Sequence, residues 1–459
     1  MPAGTAPDPR RGRSYDRLRA LDDPLLPTSA DAPPPDVTGL DVRPFRALTY
    51  REHGADHLAR VSSPAYDLVD PAGRDRLAAA DPHNIVRLIL PDVEPSPGQG
   101  TTRLERDQRS AAVAGETLRA WLSAEVLVRD PVPALWRYEM AAPGAVPTIG
   151  WLGAVSLPPS GSVAVLPHED TFPPAVAGRA ALLAATDTDL EPIVLAHDPD
   201  PEVAALTGQT GESAPTLQVA DPDGVVHRLW RVIDPTILER LTRALAGTAA
   251  VIADGHHRFA AARDHQRSQA GHGSVLALVT PMGAGGLRVR AIHRVVPDLE
   301  MATALESAAA GFEVRRVAVP GNDVRPAIAD WLATGADGTF LLTDGRRVAE
   351  LSEPSPAMRV AVPAEAPSAW RRLDVVLAHA ALLAGLWGRP DDPASVLVAH
   401  DVEEALRLAE ERTGVALLLR SPSPSDVAAV ARAGARMPRK STLFVPKPRT
   451  GLVLRPHGD

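Results

Sequence analysis

The 459-residue sequence contains no cysteine. That excludes disulfides, thiolate metal sites and a cysteine nucleophile. No uninterrupted apolar stretch is long enough to span a bilayer. The opening residues, MPAGTAPDPRRGRSYDRLRA, lack the apolar run of a signal peptide. The expected location is therefore the cytoplasm, with no membrane partner. Positive charge is not in excess either, since 48 basic against 57 acidic residues give a net charge of -9. No DNA partner is expected, because a general nucleic-acid binder carries a basic domain. A local phosphate site is compatible with this balance.

Lysine is nearly absent, occurring only as Lys440 and Lys447, and asparagine only as Asn84 and Asn322. The bias toward Arg, Ala, Pro and Val suggests drift toward G+C-rich codons, under which lysine exchanges freely for arginine at solvated positions. A retained lysine then points to a place that needs a compact ammonium. Both lie in one stretch, RMPRKSTLFVPKP, residues 436–448.

What is present suffices for a large core, and the length suggests two or three domains. Residues 1–36 are rich in Pro, Asp and Arg without apolar periodicity, and are expected to be a disordered tail. From GLDVRPFRALTY onward, strands and helices alternate. Helical periodicity runs over 102–126. LWRYEMA, IGWLGAVSL and SVAVLPHE are expected to be successive antiparallel strands, because their connections are short. DPTILERLTRALAG is expected to be a helix capped by Asp234, with Pro235 at its first position. TAAVIAD is a buried strand, and LDVVLAHAALLAGLWG an apolar helix. The whole is mixed α/β. An N-terminal domain over 37–300 and a C-terminal α/β portion over 301–459 are expected, the latter contributing MPRKST.

Four stretches could carry chemistry. In VIADGHHRFAAARDH, an apolar strand ends at a tight Asp254-Gly255 turn and a helix begins near His256. The helix start offers unpaired N–H groups and a positive dipole end. Gly255, His256, His257 and Arg258 at that point describe an anion site, most naturally for phosphate. Asp254 could cap the helix, bind Mg2+ or act as a base; the alternative is a capped helix with surface histidines. In LPHEDT, Glu169 beside His168 could be a general base, and His168 a metal ligand; the alternative is a polar turn with Asp170 or Thr171 as a helix cap. In SSPAYDLVD, Asp67 adjoins Tyr66 in a rigid loop that equally fits a structural turn. In the lysine stretch, Lys440, Ser441 and Thr442 resemble the end of a phosphate loop, but no Gly-rich run precedes them, so this is not a Walker A motif. STLFVPK is expected to form a short or edge strand because of its prolines. Its basic residues could instead simply discourage strand pairing. Lys440 is expected beside Arg258, and Lys447 is the weaker candidate, expected to neutralise an edge.

In this order, PFRAL, SPAYDLV, DPHNIVRLILP, LPHEDT, IADGHHRFAAA, LDVVLAHAALL and MPRKSTLFVPKPRTGL resemble the bacterial and archaeal family known as domain of unknown function 1015. The resemblance spans about Pro44 to Leu454. Two departures stand out. The family's two prolines before Tyr-Asp are replaced by Pro64-Ala65, and its Tyr-Glu after HHR by Phe259-Ala260. More distantly, the Gly255–Arg258 turn is similar to the phosphate-binding turn of the sulfiredoxin and chromosome-partition CTPase superfamily, which includes free-serine kinases. That similarity implies phosphate binding at Gly255–Arg258 and a carboxylate elsewhere that deprotonates the acceptor.

Three functions follow as expectations. The first is a nucleotide-dependent phosphotransferase acting on a small hydroxyl compound, possibly in serine or phosphoserine metabolism. It would use Mg2+ with ATP or ADP, a base among Glu169 and Asp67, and Lys440 to neutralise transferring charge. The second is a metal-dependent phosphatase or hydrolase using His168, Glu169, Asp254 and His256. Adjacent helical histidines diverge by about 100°, so His256 and His257 could not easily share one metal, which lowers this reading. The third is a non-catalytic nucleotide-binding regulatory protein.

Overall fold

The computed structural model describes residues 39–92, 102–268, 273–283, 285–319, 321, 323–334 and 336–458. The tail expected over 1–36 lies outside them. Among the described residues, no helix is long and apolar enough to cross a membrane.

The chain is mixed α/β, as expected, and the described residues are organised on two large sheets, with three two-stranded pairings beside them. The first has nine strands and is itself mixed. Its site-bearing half places Val165–Leu166, Ala250–Asp254, Ile193–His197, Ser274–Pro281 and Thr148–Ser156 side by side. Leu135–Ala141 pairs antiparallel with Thr148–Ser156, as the short connection predicts. The third expected neighbour behaves differently. SVAVLPHE yields only Val165–Leu166, at the sheet edge, and that strand runs parallel to Ala250–Asp254 instead of pairing with Thr148–Ser156. Pro158, Pro159 and the left-handed Gly161 in between carry the chain away from the preceding strand.

The second sheet has six strands, all antiparallel. Its earliest strand in sequence is His293–Val296, so the chain changes sheets between Pro281 and His293. The last residues then return to the first half. Leu454 exchanges backbone hydrogen bonds with Leu48, and Arg455–Pro456 pairs with Thr188–Asp189.

Alternation along the central strands explains why they read as unbroken apolar runs. Ala250 and Ile252 face Phe259, Leu241 and Leu245 on helices of the first half. Val251 and Ala253, one residue out of phase, share a core with Leu417, Leu377 and Phe444 of the second. Each fully buried Val, Leu or Phe contributes about 1.5–3 kcal/mol. The rim ion pair Arg432–Asp198, 2.5 Å long and about half-exposed, adds at most about 1 kcal/mol. The shared core therefore joins the halves.

The helices start where local chemistry dictates. Thr102 and Glu105 form a reciprocal capping box on Arg103–Ser123. Asp234 accepts from the N–H groups of Thr236 and Ile237 ahead of Pro235–Leu245. The apolar segment expected as a single helix begins as Asp374–Leu377 and then widens into a π-helical run over Ala378–Leu386.

Candidate functional site

The Ala250–Asp254 strand ends at Asp254, and Gly255 turns the chain into the His256–Ser268 helix. Gly255 has φ +93°, and a Cβ there would lie 2.8 Å from Ile193 Cγ2. Backbone conformation and space both require glycine. The first helical turn presents N–H groups without intrahelical partners and the positive end of the helix dipole.

Asp254 holds two cations at this turn. One oxygen accepts from the Arg258 guanidinium, one turn along, and the other from Lys447 Nζ at 2.8 Å. Lys447 also pairs with Asp67, and its side chain is only 7% exposed. Burial alone would raise the Asp254 pKa, but Arg258 and Lys447 override it and hold the carboxyl below its usual range. Burial alone would lower Lys447; Asp254 and Asp67 reverse this and raise it above its ordinary value. The lysine expected at an edge is therefore the one locked between two carboxylates.

Backbone pairing explains how Lys447 reaches Asp67. Ser63 and Thr450 exchange backbone hydrogen bonds of 3.1 and 2.9 Å, laying the SPAYD loop against the KPRTG segment. Arg449, buried, donates from Nε to Ser62 Oγ at 2.7 Å and pairs with Asp221. Tyr66 is fixed next to Asp67. Its N–H donates to Glu191 at 3.1 Å, to the same oxygen that accepts the Thr450 hydroxyl at 2.9 Å. The Arg179 guanidinium lies 4.0 Å above the Tyr66 ring.

Glu169 and Lys440 line the other side of the turn. The backbone N–H of Lys440 donates to Glu169 Oε1 at 3.3 Å, and the Lys440 side chain is exposed. Burial raises the Glu169 pKa, with Lys440 only partly opposing it. Lys440 stands at φ +53°. Its carbonyl and that of Arg439 each accept a 3.0 Å hydrogen bond from Arg294, a buried arginine of the second sheet.

The expected residues divide into two groups. His257, Arg258, Lys440, Asp254, Asp67 and Glu169 surround the turn. His257 accepts from the Phe172 N–H at 3.0 Å. Its pKa is lowered by burial and then by Lys440, Arg179 and Arg258, which marks the cations crowded there. His168, His256, Ser441 and Thr442 instead use their side chains internally. His256 Nε2 accepts from the His168 N–H at 3.3 Å, His168 Nε2 bonds Thr442 Oγ1 at 2.8 Å, and the Ser441 hydroxyl donates to the Pro438 carbonyl at 2.5 Å. Burial lowers the His168 pKa to about 4 and His256 well below its usual value, so both are neutral. The Nε2 of His256 is thus occupied within the protein. Among the described residues, His168, Glu169, Asp254 and His256 do not form a metal-capable group.

Sequence reasoning missed Arg179, Glu191, Arg294 and Thr450. Arg179 left a signal, as a lone charge in the apolar run AVAGRAALLAAT. Arg179, Asp189, Glu191 and Arg258 border a cavity of about 40 Å3. It has room for very few waters. A larger groove of about 640 Å3 in the second half is remote from this turn, and its Arg325 and Arg347 are paired with its own Glu403 and Asp344.

Among solved structures, a free serine kinase variant in complex with AMP is similar at 11% identity and a TM-score of 0.33, covering 64% of this chain and 87% of that one. A conserved hypothetical protein from Pyrococcus furiosus is similar at 13% identity and a TM-score of 0.31, covering 64% and 90%. SbnI from Staphylococcus aureus, with a C-terminal truncation, is similar at 10% identity and a TM-score of 0.32, covering 64% and 82%. No curated protein matches the chain. The family described as Protein of unknown function (DUF1015) matches residues 42–376, through the first sheet, the Asp254–Arg258 turn and part of the second sheet, and the chain belongs to that family.

Proposed function

We propose that this protein binds the phosphates of a nucleotide, ATP or ADP, at the start of the His256–Ser268 helix and transfers a phosphoryl group to a small hydroxyl compound. The observation that carries this is the convergence of Arg179, Arg258, Lys440 and Lys447 on one helix N-terminus, beside a carboxyl of raised pKa. Phosphoryl transfer needs mainly positioning and charge stabilisation, and this turn offers both. The N–H groups of His256 and His257 and the exposed Lys440 ammonium would hold the phosphates. Arg258 and Lys447 are engaged with Asp254, and keep the strand end and the SPAYD loop in place. Glu169 would take the acceptor hydroxyl proton as the oxygen attacks phosphorus. The bond to the leaving phosphate oxygen then breaks, and Lys440 neutralises the charge released. Serine as acceptor rests on the resemblance of the DGHHR turn to that of free-serine kinases.

The residues do not form a resident magnesium cage. Asp67 and Asp254 have the right charge, but the Lys447 ammonium already occupies the space between them. Mg2+ would instead arrive on the nucleotide phosphates.

Titration calorimetry with ATP and ADP, followed by assay of phosphoserine formation, tests this. Lys440→Ala should weaken nucleotide binding about tenfold or more. Glu169→Gln should keep binding within about twofold and lower turnover by about 100-fold or more. The wild-type rate should rise with pH through the raised Glu169 pKa, because the base must be ionised. Unchanged nucleotide affinity in folded Lys440→Ala would refute the site. Binding without turnover of any hydroxyl compound would favour the regulatory alternative.

A further inference from the structure

Asp187, His265 and His457 come from three distant parts of the chain. Asp187 ends the Pro173–Thr186 helix at φ 46°, and its side chain is exposed. His265 lies in the last turns of the His256–Ser268 helix. His457 follows the Arg455–Pro456 strand, and its N–H donates to the Asp187 carbonyl at 2.9 Å. One ligand atom from each side chain falls within 4.8 Å of the others. The two imidazole rings are 5.8 Å apart and inclined at 59°.

We propose that these three side chains bind a divalent transition-metal ion of the zinc class, with water completing the coordination. Imidazole nitrogen and carboxylate oxygen are zinc ligands at about 2.0–2.2 Å, so tetrahedral ligands lie roughly 3.4 Å apart. Closing from 4.8 Å needs only modest side-chain rotation, and the exposed Asp187 is free to make it. A second observation points the same way. His457 Nδ1 faces Asp187 at 3.8 Å, while its Nε2 stands 3.3 Å from the carboxylate of buried Asp189. Asp189 is itself fixed by the Leu276 N–H and Arg455, both at 2.8 Å. A carboxylate behind one imidazole nitrogen, orienting the other toward the ion, is the usual outer shell of a histidine–zinc site. The ion would pin the returning C-terminal segment, ten residues beyond Lys447, to the far end of the helix that carries His257 and Arg258. Without metal, the same arrangement is His457 lying between two aspartates.

Calorimetry with zinc chloride on the full chain, after dialysis against a chelator, separates the two. Wild type and a control at a remote histidine, His400→Ala, should bind one zinc per chain. Zinc should raise their melting temperature. His265→Ala, His457→Ala and Asp187→Asn should each bind at least about tenfold more weakly. Asp187→Asn keeps the fold in play if the histidine variants misfold, because the position is exposed and asparagine tolerates the left-handed conformation. The proposal is overturned if wild type binds no zinc saturably, or if zinc affinity in the folded variants equals that of wild type.

Discussion

Lys447 places a single ammonium between Asp67 and Asp254, where its long stem lets one compact charge serve two carboxylates. The flat, forked guanidinium of arginine has a different shape and hydration, which gives the retention of lysine here a physical reason. Replacing Lys447 by Met leaves two carboxylates facing each other in a mostly buried place. Removing one partner of such a cluster costs about 3 kcal/mol or more. The sign with pH follows from the two shifts. Asp254 is held below its usual pKa, so its contribution is present above about pH 4 and lost as pH falls through its folded value. Lys447 is raised, so its contribution is present below about pH 10.4 and lost as pH rises through its folded value. Urea unfolding should therefore show a large deficit in Lys447→Met at pH 7 that shrinks at pH 3. Equal midpoints at pH 7 would show that the ion pairs contribute nothing net.

The strand–turn–helix at Asp254–Arg258 depends on one residue for its geometry. Gly255→Ala must adopt φ near +93° and place a methyl 2.8 Å from Ile193 Cγ2. Left-handed strain costs about 1–2 kcal/mol, and overpacking typically adds about 1–3. Gly144→Ala is the matched comparison, with φ +67° and nothing within 4 Å of the new methyl. Denaturant titration should show Gly255→Ala losing clearly more than Gly144→Ala, the difference being the Ile193 contact. This turn was legible in the sequence because Asp-Gly between an apolar strand and an alanine-rich helix has few other solutions. The Asp234-Pro235 helix start was legible for the same local reason. Features set by distant pairing were not. Val165–Leu166 finds its partner across 85 residues. Lys447 reaches Asp254 across 193 and Asp67 across 380, so its spacing along the chain gave no hint of burial. His256 and Ser441 have the residue types of a phosphate site, but their side chains turn inward to partners that only the fold supplies.

At the scale of the molecule, the candidate site is completed by a segment that belongs to neither sheet alone. Residues 437–457 leave the second half and dock on the first, and Arg294 fixes their entry. Its guanidinium donates to the carbonyls of Arg439 and Lys440 and, from Nε, to His379 at 2.9 Å; His379 in turn lies 3.4 Å from Asp391. Burial lowers the Arg294 pKa to about 10 and that of His379 to about 3, so at neutral pH a charged arginine donates to a neutral histidine. Lys440 needs this support, because a non-glycine residue at φ +53° resists that conformation when unfastened. Arg294→Met fills much of the same space but donates nothing, and leaves the Arg439 and Lys440 carbonyls, with those of Ile292 and His293, without this donor. Hydrogen exchange should then rise about tenfold or more over 437–442, including the Lys440 N–H that Glu169 accepts. The Ile193–His197 and Ser274–Pro281 strands, paired within the first sheet, should exchange as in wild type. Nucleotide affinity should fall together with protection of 437–442, because Lys440 is then no longer held over the helix start. If that segment stayed protected while affinity dropped, Arg294 would act by another route. If neither changed, the second sheet would contribute only packing to the site.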